Sequence, residues 1–545
     1  MKLVTVSEMQ AIEREANAAG LSYAQMMEHA GRGLAELVAG VYGDLKQEGV
    51  LGLVGPGNNG GDTLVALAHL AQQGWMASAY LARPRPADDP LLARLQGAGG
   101  KIYRADEDAA FEQLAALVGN HAIQLDGVLG TGVRLPLKAE ISGVLRVVRL
   151  TLDRLANRPH VVAVDVPSGV DSDSGAAAPD CIPAELTVTM AAIKQGLLKF
   201  PAFNLIGKLQ VVGIGLPETG AGLETWQAVQ RMVPDAAWVR AQLPERPPDA
   251  HKGTFGTAMV VAGSLNYTGA ALLAGQAAYR SGAGLVTLAI PAQLHAPLAG
   301  QLPEATWVLL PDDLGVISAG ADERLRKNLD RATALLVGPG LGVEDTTAEF
   351  IKRLFSGTSQ AGRSSMGFTQ PAGGSAKPPP IVLPPAVIDA DGLKLLARLP
   401  DWSSRVSSPA VLTPHPGEMS VLTGLDKTEI QAGRLEIAER FSRAWGHVVV
   451  LKGAFTVVAA PEGRAAVIPV ASPALARAGT GDVLAGLIVG LRAQGLDAFP
   501  AAVAGAWIHA QAGLHAAQVI GNTASVLAGD VLNAAVDVLS ELQLT

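Results

Sequence analysis

Residues 50–62, VLGLVGPGNNGGD, place a short apolar strand, a glycine-rich turn and the beginning of a helix directly after one another. The helical pattern continues from Leu64 to Gln72. Glycines let a ligand approach the main chain closely, and the unpaired N–H groups at a helix start attract an anion. The stretch therefore predicts a β–α unit of an open α/β sheet, with a phosphate-type turn at the end of its strand.

Two asparagines set this turn apart. Asn58 and Asn59 fill its central positions, and we therefore do not interpret it as the plain dinucleotide-binding turn of a redox enzyme. An asparagine side chain can coordinate a cation or hydrogen-bond an amide.

Polar residues also follow two other aliphatic runs of the first half. Asp126 comes directly after one run, and Asp165 and Ser168 follow the next. Each residue alone could serve only in a turn. Their recurrence at successive strand ends favours one shared site at the edge of the sheet.

The alternation of aliphatic runs and helical segments extends over two regions of the 545-residue chain. A single hydrophobic core rarely exceeds about 250–300 residues, so two domains are expected. We predict two doubly wound α/β domains, 1–217 and 249–545, joined by a Pro-rich linker at 218–248. Residues 356–380 are rich in Ser, Gly and Pro, which predicts a flexible insertion in the second domain.

Composition restricts the classes of partner. The net charge of −8 argues against a nucleic acid, which would need a basic protein face. The single cysteine, Cys181, excludes an intramolecular disulfide and favours a reducing cytoplasm. The uncharged stretch 254–279 is long enough for a membrane span, but polar residues and glycines interrupt it. We interpret it as a strand, a turn and a helix, and expect no membrane partner.

The second half has its own glycine-rich turn at 478–486, AGTGDVLAG, which leads into an apolar helix. A phosphate would bind the free N–H groups of such a helix start. Asp482 would then be placed to accept a proton from a hydroxyl during phosphoryl transfer. The alternative is a plain turn in which Asp482 caps the helix.

Further polar residues follow other strands of the second half. His415 stands between two prolines in TPHPGE, and is either structural or part of a ligand site. Asp389 and Asp391 suit a Mg²⁺–phosphate complex, or they cap the next helix. Lys452 suits a nucleotide phosphate or simply solvent.

These motifs resemble the ribokinase-like superfamily, and more narrowly its ADP/ATP-dependent NAD(P)H-hydrate dehydratase branch. The resemblance covers about 249–541 and rests also on HKGTFG at 251–256, VAGS at 261–264 and YTGA at 267–270. It implies that Asp482 is the catalytic base and binds the hydrate. The residues implied to bind the adenine nucleotide are Lys452, Gly453, Ala454, Phe455, Thr456 and Gly481. Those implied to line the hydrate site are Ala270, Gly340 and His415.

The reaction implied by this resemblance phosphorylates the extra hydroxyl on the reduced nicotinamide ring. Phosphate then leaves and the double bond returns. Mg²⁺ is the implied metal of this half, and ADP the implied co-substrate, with ATP left open.

The first half resembles the NAD(P)H-hydrate epimerase family, often called the YjeF N-terminal domain, over about 1–217. The resemblance implies a Rossmann-like fold and a K⁺ ion held by Asn59, Asp126 and Ser168, with Asp126 also catalytic. The implied substrate contacts are Asn58, Asn59, Gly60, Gly61, Asp62, Gly130, Thr131, Gly132, Val133, Arg134, Leu135, Pro136 and Asp165. The family commonly has a glycine where this chain has Thr63, which we expect to alter the helix start slightly without removing the function.

Together the two resemblances imply a cytoplasmic, homo-oligomeric enzyme that interconverts the R and S forms of NAD(P)H hydrate and dehydrates the S form at the expense of ADP. A ribokinase-like small-molecule kinase with a fused nucleotide-binding domain is one alternative. The fused first half and the HKGTFG stretch argue against it. A non-enzymatic binding or scaffold protein is another, although neither half has lost its polar strand-end residues.

Overall fold

The computed structural model describes residues 1–217, 219–356, 383–406 and 409–544. The chain splits into two compact units, Met1–Met232 and Val233–Thr545. The division falls inside the stretch predicted to be a linker. The predicted insertion at 356–380 lies outside the described residues, apart from Ser356 at the end of a helix.

The first unit alternates strands and helices. Its strands are β1 (Leu3–Val4), β2 (Val50–Val54), β3 (Ala77–Leu81), β4 (Lys101–Arg104), β5 (Ile123–Gly127), β6 (His160–Val164), β7 (Leu186–Met190), β8 (Ile193–Lys194), β9 (Lys208–Val212) and β10 (Arg231–Met232). Its helices are α1 (Val6–Ala18), α2 (Tyr23–Tyr42), α3 (Asn58–Gln72), α4 (Pro90–Gly97), α5 (Glu112–Asn120), α6 (Ala139–Arg154) and α7 (Glu224–Ala228).

Seven of these strands form a fully parallel sheet in the order β4-β3-β2-β5-β6-β7-β9. Helices α2 and α3 contribute to the apolar core on one face, and α5 and α6 to the core on the other. Burial on both faces explains the continuous aliphatic runs of the central strands. The chain reverses its direction of travel across the sheet between β2 and β5, which creates a topological switch point where ligands bind. This confirms the predicted doubly wound fold of the first half.

The stretch 218–248 carries more structure than a simple connection. Helix α7 packs against α1, and β10 lies beside β1, so both belong to the first unit. In the second unit, α8 (Ala236–Gln242) begins at Asp235, whose side chain caps it, and packs against a long helix of that unit. The prolines of this stretch stand outside these elements and therefore do not prevent them.

The second unit contains a larger sheet. Its strands are β11 (Thr257–Val261), β12 (Leu285–Pro291), β13 (Thr306–Leu310), β14 (Asp312–Asp313), β15 (Val316–Ile317), β16 (Ala334–Val337), β17 (Ala386–Ile388), β18 (Val411–Leu412), β19 (Val448–Leu451), β20 (Val457–Ala459) and β21 (Ala465–Val467). Its further helices are α9 (Thr268–Arg280), α10 (His295–Ala299), α11 (Ala321–Arg326), α12 (Asp345–Ser356), α13 (Asp391–Leu396), α14 (Trp402–Arg405), α15 (Pro416–Thr423), α16 (Lys427–Ala432), α17 (Arg434–Trp445), α18 (Thr480–Ala493), α19 (Ala498–Ile520) and α20 (Ala528–Leu544).

Within the second unit, the strands of the large sheet are ordered β13-β12-β11-β16-β17-β18-β19-β20-β21. Its pairs are parallel from β13 to β19, and β20 and β21 are antiparallel. Helix α18 lies directly against α9, where a Cβ on Gly486 would stand 2.3 Å from the carbonyl oxygen of Ala274. Glycine is therefore required there, because it lets the helix that begins at the GTGD turn approach its neighbour closely.

The uncharged stretch 254–279 forms β11, a turn and α9, as predicted. Within the described part of the chain, no helix is long and apolar enough to cross a membrane.

Candidate active sites

The turn between β2 and α3 is packed so tightly that two of its glycines, Gly55 and Gly60, leave no room for a side chain. A Cβ on Gly60 would stand 2.1 Å from the carbonyl oxygen of Gly55, and one on Gly55 would stand 1.9 Å from that of Val128. The turn therefore lies directly against the loop after β5, on the two sides of the switch point. This contact brings Asn59 beside the end of β5.

The structure joins Asn59, Asp126 and Ser168 in one hydrogen-bonded cluster. The Asn59 amide Nδ2 donates to the carbonyl oxygen of Leu129 at 2.8 Å. The backbone N–H of Ser168 donates to Asp126 Oδ2 at 2.8 Å, and the Leu129 N–H donates to Ser168 Oγ at 2.9 Å. Asp126 and Ser168 are 0% exposed and Asn59 is 8% exposed, so water does not freely solvate the cluster.

Two oxygens of this cluster are buried and unpaired. No described residue donates a hydrogen bond to Oδ1 of Asn59 or to Oδ1 of Asp126. Burial raises the pKa of Asp126, although hydrogen bonds from Ser168 oppose that shift. Buried acceptors without donors are costly unless a cation or water satisfies them. Carbonyl, hydroxyl and single carboxylate oxygens suit a monovalent cation such as K⁺.

Thr63 fits its unusual position. Its hydroxyl donates to the carbonyl oxygen of Asn59 at 2.8 Å, within the first turn of α3. A Cβ on Gly127 would stand 1.8 Å from that hydroxyl oxygen, so a glycine in β5 makes room for the threonine. The departure from the family pattern is therefore accommodated without displacing Asn59.

The predicted substrate loop, 130–136, follows β5 at the same edge. A Cβ on Gly130 would stand 3.2 Å from Cβ of Asn59, so the loop begins beside the cluster. Arg134, Leu135 and Pro136 are exposed, which leaves them accessible to a ligand.

A second acidic group lies near the end of β6. Asp165 pairs with the buried Lys194 at 2.5 Å. Burial and the charges of Asp165 and Glu13 raise the pKa of Asp62 well above its usual value. Sequence reasoning found Asp62 and Asp165 but missed Glu13 and Lys194, because a helix-face glutamate and a lysine in a two-residue strand carry no motif.

In the second unit, the GTGD turn begins α18, and Gly479 adopts a φ of 89°. Asp482 lies in the first helical turn. Burial raises its pKa to about 7, and the charges of Asp389, Asp391 and Glu418 act in the same direction. A carboxyl group with a pKa near neutrality is suited to general-base catalysis.

Lys452 connects the acidic residues of this site. Its Nζ lies 2.6 Å from Asp389 Oδ1 and 3.7 Å from Glu418 Oε2. Burial opposes its charge, but the two carboxylates raise its pKa. A Cβ on Gly481 would stand 3.6 Å from the same Nζ, so the lysine also lies at the start of α18. The other Asp389 oxygen, Oδ2, is buried and accepts no hydrogen bond from the described residues.

His415 has a clear structural role. Its Nδ1 accepts hydrogen bonds from the N–H groups of Gly417 and Glu418 at 2.9 and 3.2 Å, and so caps α15. Burial lowers its pKa, although Glu418 opposes that shift. The ring is 52% exposed, and its other nitrogen, Nε2, lies 3.3 Å from Glu418 Oε1.

Two smaller groups of predicted residues also come together. Gly340, which has a φ of 62°, lies directly beside Ala270. A Cβ added to Gly340 would stand only 2.8 Å from the Cβ of Ala270. In the Lys452–Thr456 loop, the Thr456 hydroxyl donates to the carbonyl oxygen of Gly453 at 2.9 Å. Arg434, which sequence reasoning missed, supports this loop by donating to the Leu451 carbonyl at 2.7 Å.

Two family models match the chain. One, described as YjeF-related protein N-terminus, matches residues 23–196. The other, described as NAD(P)H-hydrate dehydratase, matches residues 258–360 and 380–534, and so skips part of the predicted insertion.

Similar proteins resemble both halves at once. The bifunctional NAD(P)H-hydrate repair enzyme of Moorella thermoacetica is 36% identical over 100% of this chain and 97% of its own length. That of Salinibacter ruber is 38% identical over 92% of this chain and 90% of its own length. A crystal structure of the ADP/ATP-dependent NAD(P)H-hydrate dehydratase from Bacillus subtilis, co-crystallised with ATP/Mg²⁺, is 29% identical, covers 56% of this chain and 97% of that one, and has a TM-score of 0.44.

Similarity along the whole length to fused enzymes supports the repair function over the small-molecule kinase alternative. The chain belongs to the family of bifunctional NAD(P)H-hydrate repair enzymes, which combine an epimerase half with a dehydratase half.

Proposed function

We propose that the second unit dehydrates the S form of NAD(P)H hydrate with ADP as phosphoryl donor, and that the first unit interconverts the R and S forms. The observation that carries the first assignment is the cluster of Asp389, Glu418 and Lys452 around Asp482, at the start of α18. It combines a base of suitable pKa with a helix start that favours phosphate.

In the dehydratase unit, Asp482 would accept the proton of the substrate hydroxyl as that oxygen attacks the phosphoryl group. Lys452, Gly453, Ala454, Phe455, Thr456 and Gly481 would hold the adenine nucleotide, and Ala270, Gly340 and His415 would line the hydrate pocket. The position of Lys452 beside Asp389 also places its charge close to the transferred phosphate.

Asp389 is the residue best placed to hold the Mg²⁺ of the nucleotide, because its Oδ2 is buried and has no described donor. Asp391 is less available, since its oxygens accept hydrogen bonds from Gly342 and Lys394. A bound Mg²⁺ would neutralise charge on the phosphates.

In the epimerase unit, Asn59, Asp126 and Ser168 would hold K⁺. The unpaired Oδ1 atoms of Asn59 and Asp126 support this ligand set. Loop 130–136, the NNGGD turn and Asp165 would bind the hydrate. Asp126 is 0% exposed, so its effect on the ring would be transmitted through the ion, and its direct catalytic role stays a prediction.

The compartment and assembly are also proposals. Cys181 is buried, and burial raises its pKa to about 12, so the thiol is unreactive and compatible with the cytoplasm. The homo-oligomeric state stays a prediction that light scattering of the purified chain would test.

The test of the proposed function is recovery of NADH from a hydrate preparation containing both epimers. With Mg²⁺ and ADP, we expect complete recovery of reduced-nicotinamide absorbance, faster than spontaneous epimerisation allows. Recovery that stops when the S form is used up would contradict the epimerase assignment. No recovery with ADP, but recovery with ATP, would correct the phosphoryl donor, and a stable phosphorylated product would indicate a kinase.

Removal of K⁺ should affect one unit only. When choline replaces K⁺ at constant ionic strength, we expect epimer exchange to slow by about tenfold or more, because the buried oxygens of Asn59 and Asp126 lose their counter-charge. Exchange is followed by chromatography of the epimers without nucleotide. Dehydration of the pure S form is the internal control, and exchange at an unchanged rate would refute the cation assignment.

A further inference from the structure

Asp165 is held in an unusual backbone conformation. Its φ is 64°, in the left-handed region that non-glycine residues rarely adopt. Such conformations cost energy and persist where surrounding contacts fix them, often at functional sites. The contacts that fix Asp165 are made by its side chain. Its Oδ1 accepts hydrogen bonds from the Thr189 hydroxyl and the Met190 N–H, each at 3.0 Å, and from Lys194 Nζ at 2.5 Å.

The two oxygens of this carboxylate differ completely. Oδ1 receives three donors, whereas no described residue donates to Oδ2. The Asp165 side chain keeps 13% of its surface exposed. One oxygen is therefore committed to the protein, and the other is left to bind a ligand at the edge where β5 and β6 end.

Lys194 is the charged member of the group that holds Oδ1. Its side chain is 1% exposed. Besides Asp165, Nζ donates to the Thr189 hydroxyl at 3.1 Å and to the Met190 carbonyl at 2.8 Å, so all three of its protons are used. The parallel pairing of Val4 with Lys194, between β1 and β8, fixes its backbone. Lys194 has no donor left for a ligand and can act only through its partners.

Two further carboxylates face the same pair. The pKa of Glu13 is raised by burial and by the charge of Asp165, and Lys194 opposes that shift. The charge of Lys194 also lowers the pKa of Asp62, against the effect of burial. The single ammonium group of Lys194 therefore offsets the negative charge of three carboxylates, which come from α1, from α3 and from the residue that follows β6. Removing that charge would leave only the Thr189 hydroxyl and the Met190 N–H to hold Asp165 in its strained conformation.

We propose that Lys194 is a positioning residue for epimerisation: by binding Oδ1 of Asp165 it directs Oδ2 to the substrate. This rests on the proposed role of Asp165 in binding the hydrate. A misplacement of about 1 Å in a positioning group can cost on the order of a hundredfold in rate. Its loss should therefore lower kcat more than it changes KM.

The experiment is a double-mutant cycle on the full-length chain with Lys194→Met, Asp165→Asn and the double variant. Epimer exchange is measured without nucleotide, after subtraction of the spontaneous rate. We expect Lys194→Met to lower kcat by about ten- to a hundredfold with KM changed less than about threefold. The double variant should be no slower than Asp165→Asn, because a residue that acts through another adds nothing once its partner is gone.

Folding is controlled in two ways. Thr187→Val removes a different buried hydrogen bond, from the Thr187 hydroxyl in β7 to the Ile206 carbonyl, and should keep the wild-type kcat. Dehydration of the S form checks the second unit. If Lys194→Met does not fold, the double variant replaces it, because neutralising both partners leaves no uncompensated buried charge.

The outcomes distinguish the positioning role of Lys194 from the substrate-binding role of Asp165. Wild-type kcat in Lys194→Met overturns the positioning role alone. So does a double variant that is clearly slower than Asp165→Asn, since Lys194 would then act independently. Wild-type exchange in Asp165→Asn overturns the proposed role of Asp165 itself, and the inference with it.

Discussion

Replacing Asp482 with asparagine is expected to lower kcat for dehydration of the S form by about a thousandfold, within the range typical of a lost general base. Asparagine keeps the size of the side chain but cannot accept the hydroxyl proton. The neighbouring Asp389 and Lys452, and the N–H groups at the start of α18, are unchanged. Nucleotide affinity, measured by calorimetry with Mg²⁺ and ADP, should therefore stay within about threefold of wild type.

The matched control is Asp322→Asn. Asp322 is also a buried carboxylate of the second unit, 3% exposed, but it pairs with Arg326 and not with the site. Its variant should be less stable and yet turn over normally when folded. Normal dehydration in Asp482→Asn would show that Asp482 is only a helix-start residue. Loss of nucleotide binding together with turnover would instead give it a binding role.

The same residue sets an expected pH dependence. Burial and three neighbouring acids raise the pKa of Asp482 to about 7, so the ionised base becomes populated as the pH rises through neutrality. Below that pKa, kcat/KM should rise about tenfold per pH unit and then level off. The residual activity of Asp482→Asn should lack this rise.

The fold could be predicted because it follows from local patterns. Buried parallel strands appear as unbroken aliphatic runs, and the VLGLV run became β2, an interior strand of its sheet. The NNGGD and GTGD turns were also recognisable by their glycines, since only glycine permits the contact of Gly60 with Gly55, and Gly479 adopts a φ of 89°, which favours glycine. The structure bears out both turns as helix starts at the edges of their sheets.

The interactions between distant parts of the chain could not be predicted in this way. Lys194 meets Asp165 across 29 positions, and Lys452 meets Asp389 across 63. Such pairings depend on which strands become neighbours and on which side chains are buried there. The sequence indicated Lys452 as a residue for nucleotide phosphate or solvent, and only the sheet order shows that it lies against an acidic cluster.

For His415, the sequence predicted the position of the side chain but not its hydrogen-bonding role. Two flanking prolines favoured a rigid residue at a strand end, and that placement is correct. They did not reveal that its Nδ1 caps α15, a sufficient structural reason for a histidine there. A side chain can be correctly placed by its pattern while its chemical role is decided by hydrogen bonds that the pattern does not contain.

Replacing Asp126 with alanine is expected to slow epimer exchange by about a hundredfold or more and to leave dehydration of the pure S form unchanged. The variant removes the only carboxylate among the three proposed K⁺ ligands, together with the acceptor for the Ser168 N–H. The cation site would lose its charge, and the loop after β6 would lose its anchor at the switch point.

The control for this variant is again Thr187→Val, which lacks a different buried hydrogen bond but leaves the switch point intact. Epimer exchange and its dependence on K⁺ are measured together. A slow variant has lost either the bound cation or a carboxyl group that takes part in the reaction, and only the K⁺ dependence distinguishes these two cases. A variant that has lost its cation should exchange at one slow rate in K⁺ and in choline. A variant that has lost only a reacting carboxyl group should still exchange faster in K⁺ than in choline. That result would mean that Asp126 takes part in the reaction and is not a K⁺ ligand. Wild-type exchange would mean that Asp126 only closes the turn after β5, and the unpaired Oδ1 of Asn59 would then need another partner.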